Sequence, residues 1–253
     1  MNLKTVDIIL PNYNKAKYLE ECINSILNQS HKAWKLYIID DNSQDNSQRI
    51  LKNFEKYENI NIHKLRKNMG PSFCRNLGIR ISSSEYIAFM DSDDYWKKNK
   101  LEEQINFMTQ NNYVFTFTDY TPFSQNDVSK KFMKPTKIAE TFDLNEFTLN
   151  SSINTTTMII CRNILDNLKF KKIRKLEDYL FKCEILKFGH IAHKFNSNSA
   201  YYRILNNSRS SQKIKNLFYL WKINKKYLNY GIWKNLLSLI MISINSLKKY
   251  GIK

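Results

Sequence analysis

Short apolar runs alternate with amphipathic stretches along the first 110 residues of the chain. Short apolar runs are typical of buried strands, and the stretches between them place apolar residues at helical spacing. The runs stand at 6–10, 36–39, 60–65 and 86–90. This alternation predicts an α/β fold with a mostly parallel, doubly wound sheet that is flanked by helices. Further strand patterns follow at 113–118 and 155–160, and the polar stretch at 122–137 is expected to be a loop.

Aspartates follow two of the predicted strands directly. Asp40 and Asp41 end the second strand, and the run Asp91-Ser92-Asp93-Asp94 follows the fourth. The carboxyl ends of parallel strands meet at one edge of a sheet, where ligands bind in this fold class. Clustered carboxylates repel one another unless a cation offsets their charge, and hard divalent cations prefer oxygen ligands and bridge substrate phosphates. The pattern predicts a Mg²⁺ or Mn²⁺ site that holds a diphosphate. Acidic turns or helix starts are the alternative.

A second acidic pair, Glu177 and Asp178, stands far along the chain. A general base that deprotonates a hydroxyl group must be a carboxylate or a histidine within its reach, and Asp178 has that chemistry. Negative charge at the N-terminus of a helix is the other interpretation. Arg203 supplies a guanidinium suited to phosphate recognition, and an ordinary exposed basic loop is the alternative there.

Charge and cysteine usage narrow the class of protein. The 253 residues carry a net charge of +17, which favours an anionic partner such as nucleic acid, a membrane surface or a phosphorylated substrate. Lysines that only solvate the surface would give the same excess. Four cysteines without a C-x-x-C pair predict reduced thiols and a cytoplasmic setting. No signal peptide is expected, and no stretch approaches the roughly 20 apolar residues that span a bilayer.

The segment 211–253 mixes lysines with large apolar and aromatic residues at helical spacing. A basic amphipathic pattern predicts helices that lie in a membrane interface. Packing of these helices against the rest of the chain, or against a second subunit, is the alternative.

Several motifs occur in a fixed order along the chain, at 6–14, 39–45, 68–71, 75–78 and 85–94. This ordered set closely resembles the family-2 inverting glycosyltransferases of the GT-A fold. The resemblance is dense over the first 110 residues and continues thinly through 177–178 to 202–203. It implies a catalytic domain over 1–210, in which 1–110 bind the nucleotide and 111–210 the acceptor, followed by the C-terminal helices. One departure is Asn42-Ser43-Gln44, which replaces the commoner glycine-serine-threonine run.

The resemblance also implies a role for each residue at the donor site. Pro11 and Tyr13 would line the nucleotide pocket. Asp41 would contact the base, typically uracil, with Asp40 beside it, and Asp91 would approach the ribose or the sugar. The expected donor-site residues are Pro11, Tyr13, Asp40, Asp41, Arg75, Asp91, Ser92 and Arg203.

Catalysis would then divide between two carboxylates. Asp93 would ligate the Mn²⁺ or Mg²⁺ ion that bridges the diphosphate, and Asp178 would deprotonate the acceptor hydroxyl. Glu177 would bind the acceptor. Arg203 would lie near the diphosphate on a flexible segment.

The function implied is metal-dependent transfer of a sugar, with inversion, from a nucleotide donor to a glycan or lipid-linked acceptor. The expected setting is the cytoplasm, or the inner face of its membrane. A nucleotidyltransferase would need a glycine-rich, basic phosphate loop, and residues 11–17 contain no glycine. A nucleic-acid-binding protein would need a basic face with base-reading or stacking residues, so the acidic strand ends argue against it. We therefore expect no nucleic-acid partner.

Overall fold

The computed structural model describes residues 4–125, 129–205 and 213–250. The first half of the chain alternates strands and helices, as the sequence predicts. Its elements are β1 (Val6–Asn12), α1 (Ala16–Leu27), β2 (Trp34–Asp40), α2 (Ser47–Lys52), β3 (Ile60–Lys64), α3 (Pro71–Ile81) and β4 (Tyr86–Phe89).

The second half adds shorter strands and longer connections. Its strands are β5 (Tyr95–Trp96), β6 (Phe115–Gln125), β7 (Lys130–Phe132), β8 (Thr141–Phe142), β9 (Ile159–Cys161) and β10 (Ala192–Arg203). Its α-helices are α4 (Lys100–Asn111), α5 (Leu144–Asn150), α6 (Glu177–Lys187), α7 (Lys213–Tyr227) and α8 (Ile232–Tyr250).

The described strands form one sheet in the order β3-β2-β1-β4-β9-β6-β10-β5, with β7 paired to β6 and β8 to β10. The strands β3, β2, β1 and β4 are parallel, as predicted. Beyond β4 the sheet is mixed, because β9 runs antiparallel to both β4 and β6, whereas β10 is parallel to β6. The parallel half brings the carboxyl ends of β1, β2 and β4 to one edge.

The central strands are buried on both faces. In β1 the side chains of Val6, Ile8, Ile9 and Leu10 have no solvent exposure. Such continuous apolar runs are typical of parallel strands covered by helices on both sides. Helix α3 lies very close to β1, because a Cβ atom added to Gly78 would come within 2.5 Å of Ile9 Cγ2. Only glycine allows this approach.

Two predictions for the second half are wrong. The stretch 122–137 is not a loop throughout, because β6 continues to Gln125 and pairs with β7. The strand predicted at 155–160 begins instead as the 3-10 helix Thr155–Thr157, and β9 follows it. Threonine favours strands, but here the Asn154 side chain accepts a hydrogen bond from the Thr156 backbone N–H at 2.9 Å. Local side-chain bonding thus overrides the strand preference.

The C-terminal helices pack on α5 and α6 in the second half of the chain. Tyr179 of α6 donates a hydrogen bond to Asn224 of α7 at 2.9 Å, and Ser238 of α8 donates to the Thr148 carbonyl at 2.6 Å. None of the described helices is long and apolar enough to span a bilayer. The domain boundary expected at residue 210 lies outside the described residues.

Candidate active site

The two aspartate clusters lie at the same edge of the sheet. Asp40 ends β2 and Asp91 follows β4, and both strands are parallel neighbours of β1. The Asn12 amide at the end of β1 donates a hydrogen bond to Asp40 Oδ1 at 2.8 Å. The sequence prediction of a common edge is therefore confirmed.

Asp40 organises the turn after β2. Its buried carboxylate accepts a hydrogen bond from the Ser43 hydroxyl at 2.6 Å and one from the Ser43 N–H at 3.2 Å. Asn42 between them has a φ of 61°. Glycine adopts this left-handed conformation most easily, and asparagine is among the few other residues that tolerate it. Asn42 can therefore keep the turn where glycine is commoner.

Asp41 ties the end of β2 to the start of α3. One carboxylate oxygen accepts a hydrogen bond from the Met69 N–H at 2.6 Å, and the other accepts one from the Gly70 N–H at 2.8 Å. The predicted contact of Asp41 with a base stays a prediction. Pro11 on β1 is half-buried, and Tyr13, which directly follows β1, is 45% exposed and therefore accessible to a ligand.

Two cations pair with the carboxylates that follow β4. Arg75 Nη2 lies 2.7 Å from Asp91 Oδ1, and Lys15 Nζ lies 2.6 Å from Asp93 Oδ2. Both carboxylates keep part of their surface exposed, whereas Ser92 between them is buried. The pairing offsets the mutual repulsion of the aspartates and leaves their oxygens open to a ligand.

These residues fit a divalent cation that has few protein ligands. Among the described residues, no group of three or more His, Cys, Asp or Glu side chains gathers as a metal site. The carboxylates of Asp93 and Asp91 are hard oxygen donors, and Mg²⁺ in particular is commonly held by one or two carboxylates, water and substrate phosphates. Lys15 and a cation compete for Asp93 Oδ2, since both are attracted to that oxygen.

Asp94, the last member of the run, is buried and joins three segments. Its Oδ1 accepts a hydrogen bond from the Arg203 N–H at 2.8 Å, and its Oδ2 accepts one from the Thr156 hydroxyl at 2.7 Å. Burial, together with the charges of Asp93 and Asp91, raises the pKa of Asp94 well above its usual value. Asp94 thus holds residues 91–94, here called the aspartate loop, against β10 and the 3-10 helix Thr155–Thr157.

Arg203 lies in β10, not on the flexible segment that the resemblance implied. Its side chain is 1% exposed, and its Nε donates a hydrogen bond to the Asp93 carbonyl at 2.8 Å. Its Nη2 pairs with Glu21 at 2.6 Å, and its guanidinium lies over the rings of Tyr18 and Phe123. These contacts compensate for its burial and make Arg203 a support of the aspartate loop.

Glu177 and Asp178 begin α6, immediately after Leu176, whose φ is 61°. A leucine in the left-handed region is strained, and such strain collects at functional sites. Glu177 is buried, with Oε1 3.6 Å from Arg75 Nη1. Arg75 therefore links the carboxylate after β4 to the start of α6.

Asp178 is held by two neighbours. Its Oδ2 accepts hydrogen bonds from Lys182 Nζ at 3.0 Å and from the Thr155 hydroxyl at 3.2 Å. Burial alone would raise the pKa of Asp178, but the charges of Lys182 and Arg75 and the hydrogen bonds outweigh it, and the pKa is lowered. The carboxylate is thus ionised at neutral pH and able to accept a proton.

The 3-10 helix Thr155–Thr157 connects the aspartate loop with Asp178. Adjacent residues of the 3-10 helix reach both: Thr156 contacts Asp94, and Thr155 contacts Asp178. Sequence reasoning missed these threonines, together with Lys15 and Lys182. Of these residues, only Lys182 could have been predicted from the sequence, because a residue four positions after Asp178 lies beside it on a helix.

The sequence profile of the glycosyl transferase family 2 matches residues 7–169. This chain belongs to that family. TuaG of Bacillus subtilis, a glycosyltransferase assigned to teichuronic acid biosynthesis, is 33% identical over 246 residues, which are 96% of each chain. WfgD of Escherichia coli, a UDP-Glc:alpha-D-GlcNAc-diphosphoundecaprenol beta-1,3-glucosyltransferase, is 33% identical over 86% of this chain and 84% of its own.

Solved structures show the same fold. The crystal structure of Staphylococcus aureus TarS 1-349 in complex with UDP-GlcNAc superposes with a TM-score of 0.73 over 96% of this chain and 73% of that chain, at 20% identity. The family-2 protein described here is therefore a glycosyltransferase with the GT-A fold, as the sequence motifs indicate.

Proposed function

We propose that this family-2 glycosyltransferase moves a sugar from a UDP-sugar to a lipid-linked glycan acceptor, with inversion at the anomeric carbon. One observation supports the proposal: Arg75 and the 3-10 helix join the carboxylates after β4 to the start of α6. A single displacement needs a bound leaving group and a base on opposite sides of the sugar. We assign the first part to the carboxylates after β4 and the second to Asp178.

The donor fits the sheet edge formed by β1, β2 and β4. Nucleotides bind beyond the carboxyl ends of parallel strands, and Tyr13, Asp40 and Asp41 stand at those ends. The name of WfgD specifies UDP-glucose, and TarS is solved with UDP-GlcNAc. Both relatives thus favour a uridine nucleotide here.

Asp93 would hold Mn²⁺ or Mg²⁺ beside the donor diphosphate. When bound, the ion neutralises charge on the leaving diphosphate. Lys15 lies 2.6 Å from the same carboxylate and can follow the negative charge when the donor arrives. Arg203, bound to the Asp93 carbonyl, keeps this loop in place during the exchange.

Asp178 would accept the proton of the acceptor hydroxyl. Its lowered pKa makes it a weak base toward an ordinary alcohol. The hydroxyl becomes acidic only as its oxygen bonds to the anomeric carbon, so proton transfer to Asp178 occurs late in the displacement. Glu177, paired with Arg75, fixes the start of α6 beside the acceptor.

The C-terminal helix α7 contacts α6, the helix that carries Asp178, and we assign α7 and α8 to the membrane interface. One face of α8 exposes apolar side chains over its whole length. They are Ile232, Trp233, Leu236, Leu237, Ile240, Ile244 and Leu247. Exposed lysines flank this face, and the chain carries a net charge of +17, which favours anionic lipid. Peripheral binding at the cytoplasmic face would bring the site to a lipid-linked acceptor.

A thermal-shift screen of nucleotide sugars, with and without Mn²⁺, tests the proposal. We expect a metal-dependent shift with a uridine donor, and UDP release when a GlcNAc-diphospholipid is added. In Asp93→Asn the metal-dependent part of the shift should disappear while the unfolding temperature without ligand stays close to that of the wild type. A metal-dependent shift in Asp93→Asn equal to that of the wild type would show that Asp93 does not bind the metal ion. Diphosphate production from a nucleoside triphosphate and a sugar phosphate would support a nucleotidyltransferase instead.

A further inference from the structure

The segment immediately before α6 is strongly basic. Five of its seven residues are cationic and none is acidic: Lys169, Lys171, Lys172, Arg174 and Lys175. It ends two positions before Glu177, at the start of the helix that carries Asp178. A positive segment thus borders the side of the site where the acceptor must enter.

The basic segment is fixed to the fold through Phe170. The Phe170 ring is buried and stacks on Phe181, with 3.8 Å between ring centroids. Its N–H donates to Asn76 Oδ1 and its carbonyl accepts from Asn76 Nδ2, both at 2.8 Å. The Ser72 hydroxyl donates to the Lys171 carbonyl at 3.0 Å. Because the backbone is anchored on α3, the points from which its lysine side chains extend are fixed.

Two of these cations are available to a ligand. Lys169 and Lys172 are exposed, and within residues 4–125, 129–205 and 213–250 neither forms an ion pair. Lys171 by contrast is paired with Glu184. Exposed lysines without carboxylate partners create a local positive potential that attracts anions.

The position of the basic segment matches the chemical order of a lipid-linked acceptor. On one side, the Phe170 ring lies 5.3 Å from the guanidinium of Arg75, which contacts the site carboxylates. On the other side, Lys175 donates to Asn216 of α7 at 3.3 Å, and Lys171 Nζ lies 4.9 Å from the Tyr227 ring at the end of α7. The site, the basic segment that carries Lys169 and Lys172, and the C-terminal helices thus follow one another as sugar, diphosphate and lipid do in such an acceptor.

We propose that Lys169 and Lys172 bind the diphosphate of the lipid-linked acceptor. This inference rests on the proposed function, because it assumes that the acceptor sugar lies at Asp178. The two ammonium groups neutralise phosphate charge and set how far the acceptor sugar extends toward the base. Lysine acts here as a point charge, so the contact selects for phosphate and not for a particular sugar.

The test compares two charge-matched double variants of the full chain. Lys169→Ala with Lys172→Ala removes the proposed contacts. Lys32→Ala with Lys35→Ala removes two exposed lysines at the opposite edge of the sheet. The probe is decyl diphosphate in a nonionic detergent, with saturating UDP and Mn²⁺ so that the donor site is filled. Decyl glucoside, which has the same chain without phosphate, is the matched ligand control.

We expect the Kd for decyl diphosphate to rise about tenfold in the 169/172 variant and to stay unchanged in the 32/35 variant. All three proteins should bind decyl glucoside equally. Equal affinity of all three for decyl diphosphate, or no binding by the wild type, would overturn the inference.

A second arm separates the acceptor from lipid headgroups. The same proteins are floated with phosphatidylglycerol vesicles that contain no diphosphate. A loss confined to flotation, with an unchanged Kd for decyl diphosphate, would assign the lysines to headgroups and reject the inference. Transfer from the UDP-sugar is measured in parallel with the wild type. Absence of transfer to any diphospholipid rejects the proposed function, whereas an unchanged Kd in the 169/172 variant rejects only this inference.

Discussion

Lys182 Nζ lies 3.0 Å from Oδ2 of Asp178, one helical turn away in α6. The lysine side chain is 3% exposed, and its ammonium also donates to the Ile153 carbonyl at 2.8 Å. A buried cation at this distance favours the ionised carboxylate. Lys182 therefore governs both the orientation and the proton affinity of the proposed base.

Replacing Lys182 by methionine should change the pH dependence of transfer. The pKa of Asp178 is lowered, so the ionised form that accepts a proton persists to low pH in the wild type. Without the ammonium, the pKa rises and the acidic limb of the kcat profile moves to higher pH. Lys182→Arg keeps the charge and should keep the wild-type limb. An acidic limb in Lys182→Met at the wild-type position would disprove this role.

Thr156 should control the aspartate loop through its hydroxyl. Thr156→Val leaves a buried oxygen of Asp94 without its hydrogen bond, which costs about 1–3 kcal/mol. We expect a higher Mn²⁺ concentration for half-maximal activity, because the loop that carries Asp93 loses support. Thr156→Ser retains the hydroxyl and should restore the wild-type Mn²⁺ requirement. Identical Mn²⁺ titrations for the valine and serine variants would show that the hydrogen bond does not matter.

Much of the first half of the chain could be predicted from the sequence. The alternation of apolar runs and amphipathic stretches located β1 to β4, and the parallel sheet then put Asp40 and Asp91 at one edge. Hydrophobic periodicity is a local signal, and in this half the pairing partners follow one another closely along the chain. The ordered motifs in this half also indicated the glycosyltransferase family.

The second half of the chain could be predicted only in part. Strand β10 combines buried and exposed positions irregularly, and its pairing with β6 contains register shifts after Phe195 and Asn198. Such a strand lacks the regular alternation of apolar and polar residues from which strands are predicted. Nothing in the local sequence indicated that Arg203 is buried, because its partners Glu21 and Gln125 are distant from it in the sequence. The Thr155 contact with Asp178 likewise depends on tertiary structure alone.

Lys100 should make stability depend on pH above neutrality. It is fully buried, its ammonium donates to Gln104 at 2.9 Å and lies 4.3 Å from the Trp96 ring, and burial lowers its pKa to about 7. The unfolded chain, with an ordinary lysine pKa near ~10.4, binds more protons than the folded one between these values, so stability rises with pH there.

Lys100→Met removes this titration. The gain in unfolding temperature of wild type between pH 7 and pH 9 should exceed the gain of the variant, measured by differential scanning fluorimetry. Lys35→Met, at an exposed lysine, is the control and should follow the wild type. Parallel curves for wild type and Lys100→Met would mean that Lys100 has an ordinary pKa in the fold.

The exposed face of α8 should bind anionic membranes. Trp233 is 84% exposed and Leu237 is 50% exposed, so charges placed there disturb no core packing. Trp233→Glu with Leu237→Glu should abolish flotation with phosphatidylglycerol vesicles and leave the unfolding temperature unchanged. Glu102→Gln with Glu103→Gln, on exposed or half-exposed positions of α4, is a surface control that should still float. Flotation of the α8 variant at the wild-type level would show that this face of α8 does not bind the membrane.

The central claim is that Asp178 acts chemically on an acceptor beside a donor held near Asp93. Asp178→Asn tests it most directly, with UDP-sugar binding and transfer to a GlcNAc-diphospholipid measured on the same preparation. The account predicts a donor Kd close to the wild-type value and a kcat reduced by about 10²- to 10⁴-fold, the usual contribution of a general base. A kcat for Asp178→Asn near that of the wild type, with donor binding intact, would contradict it.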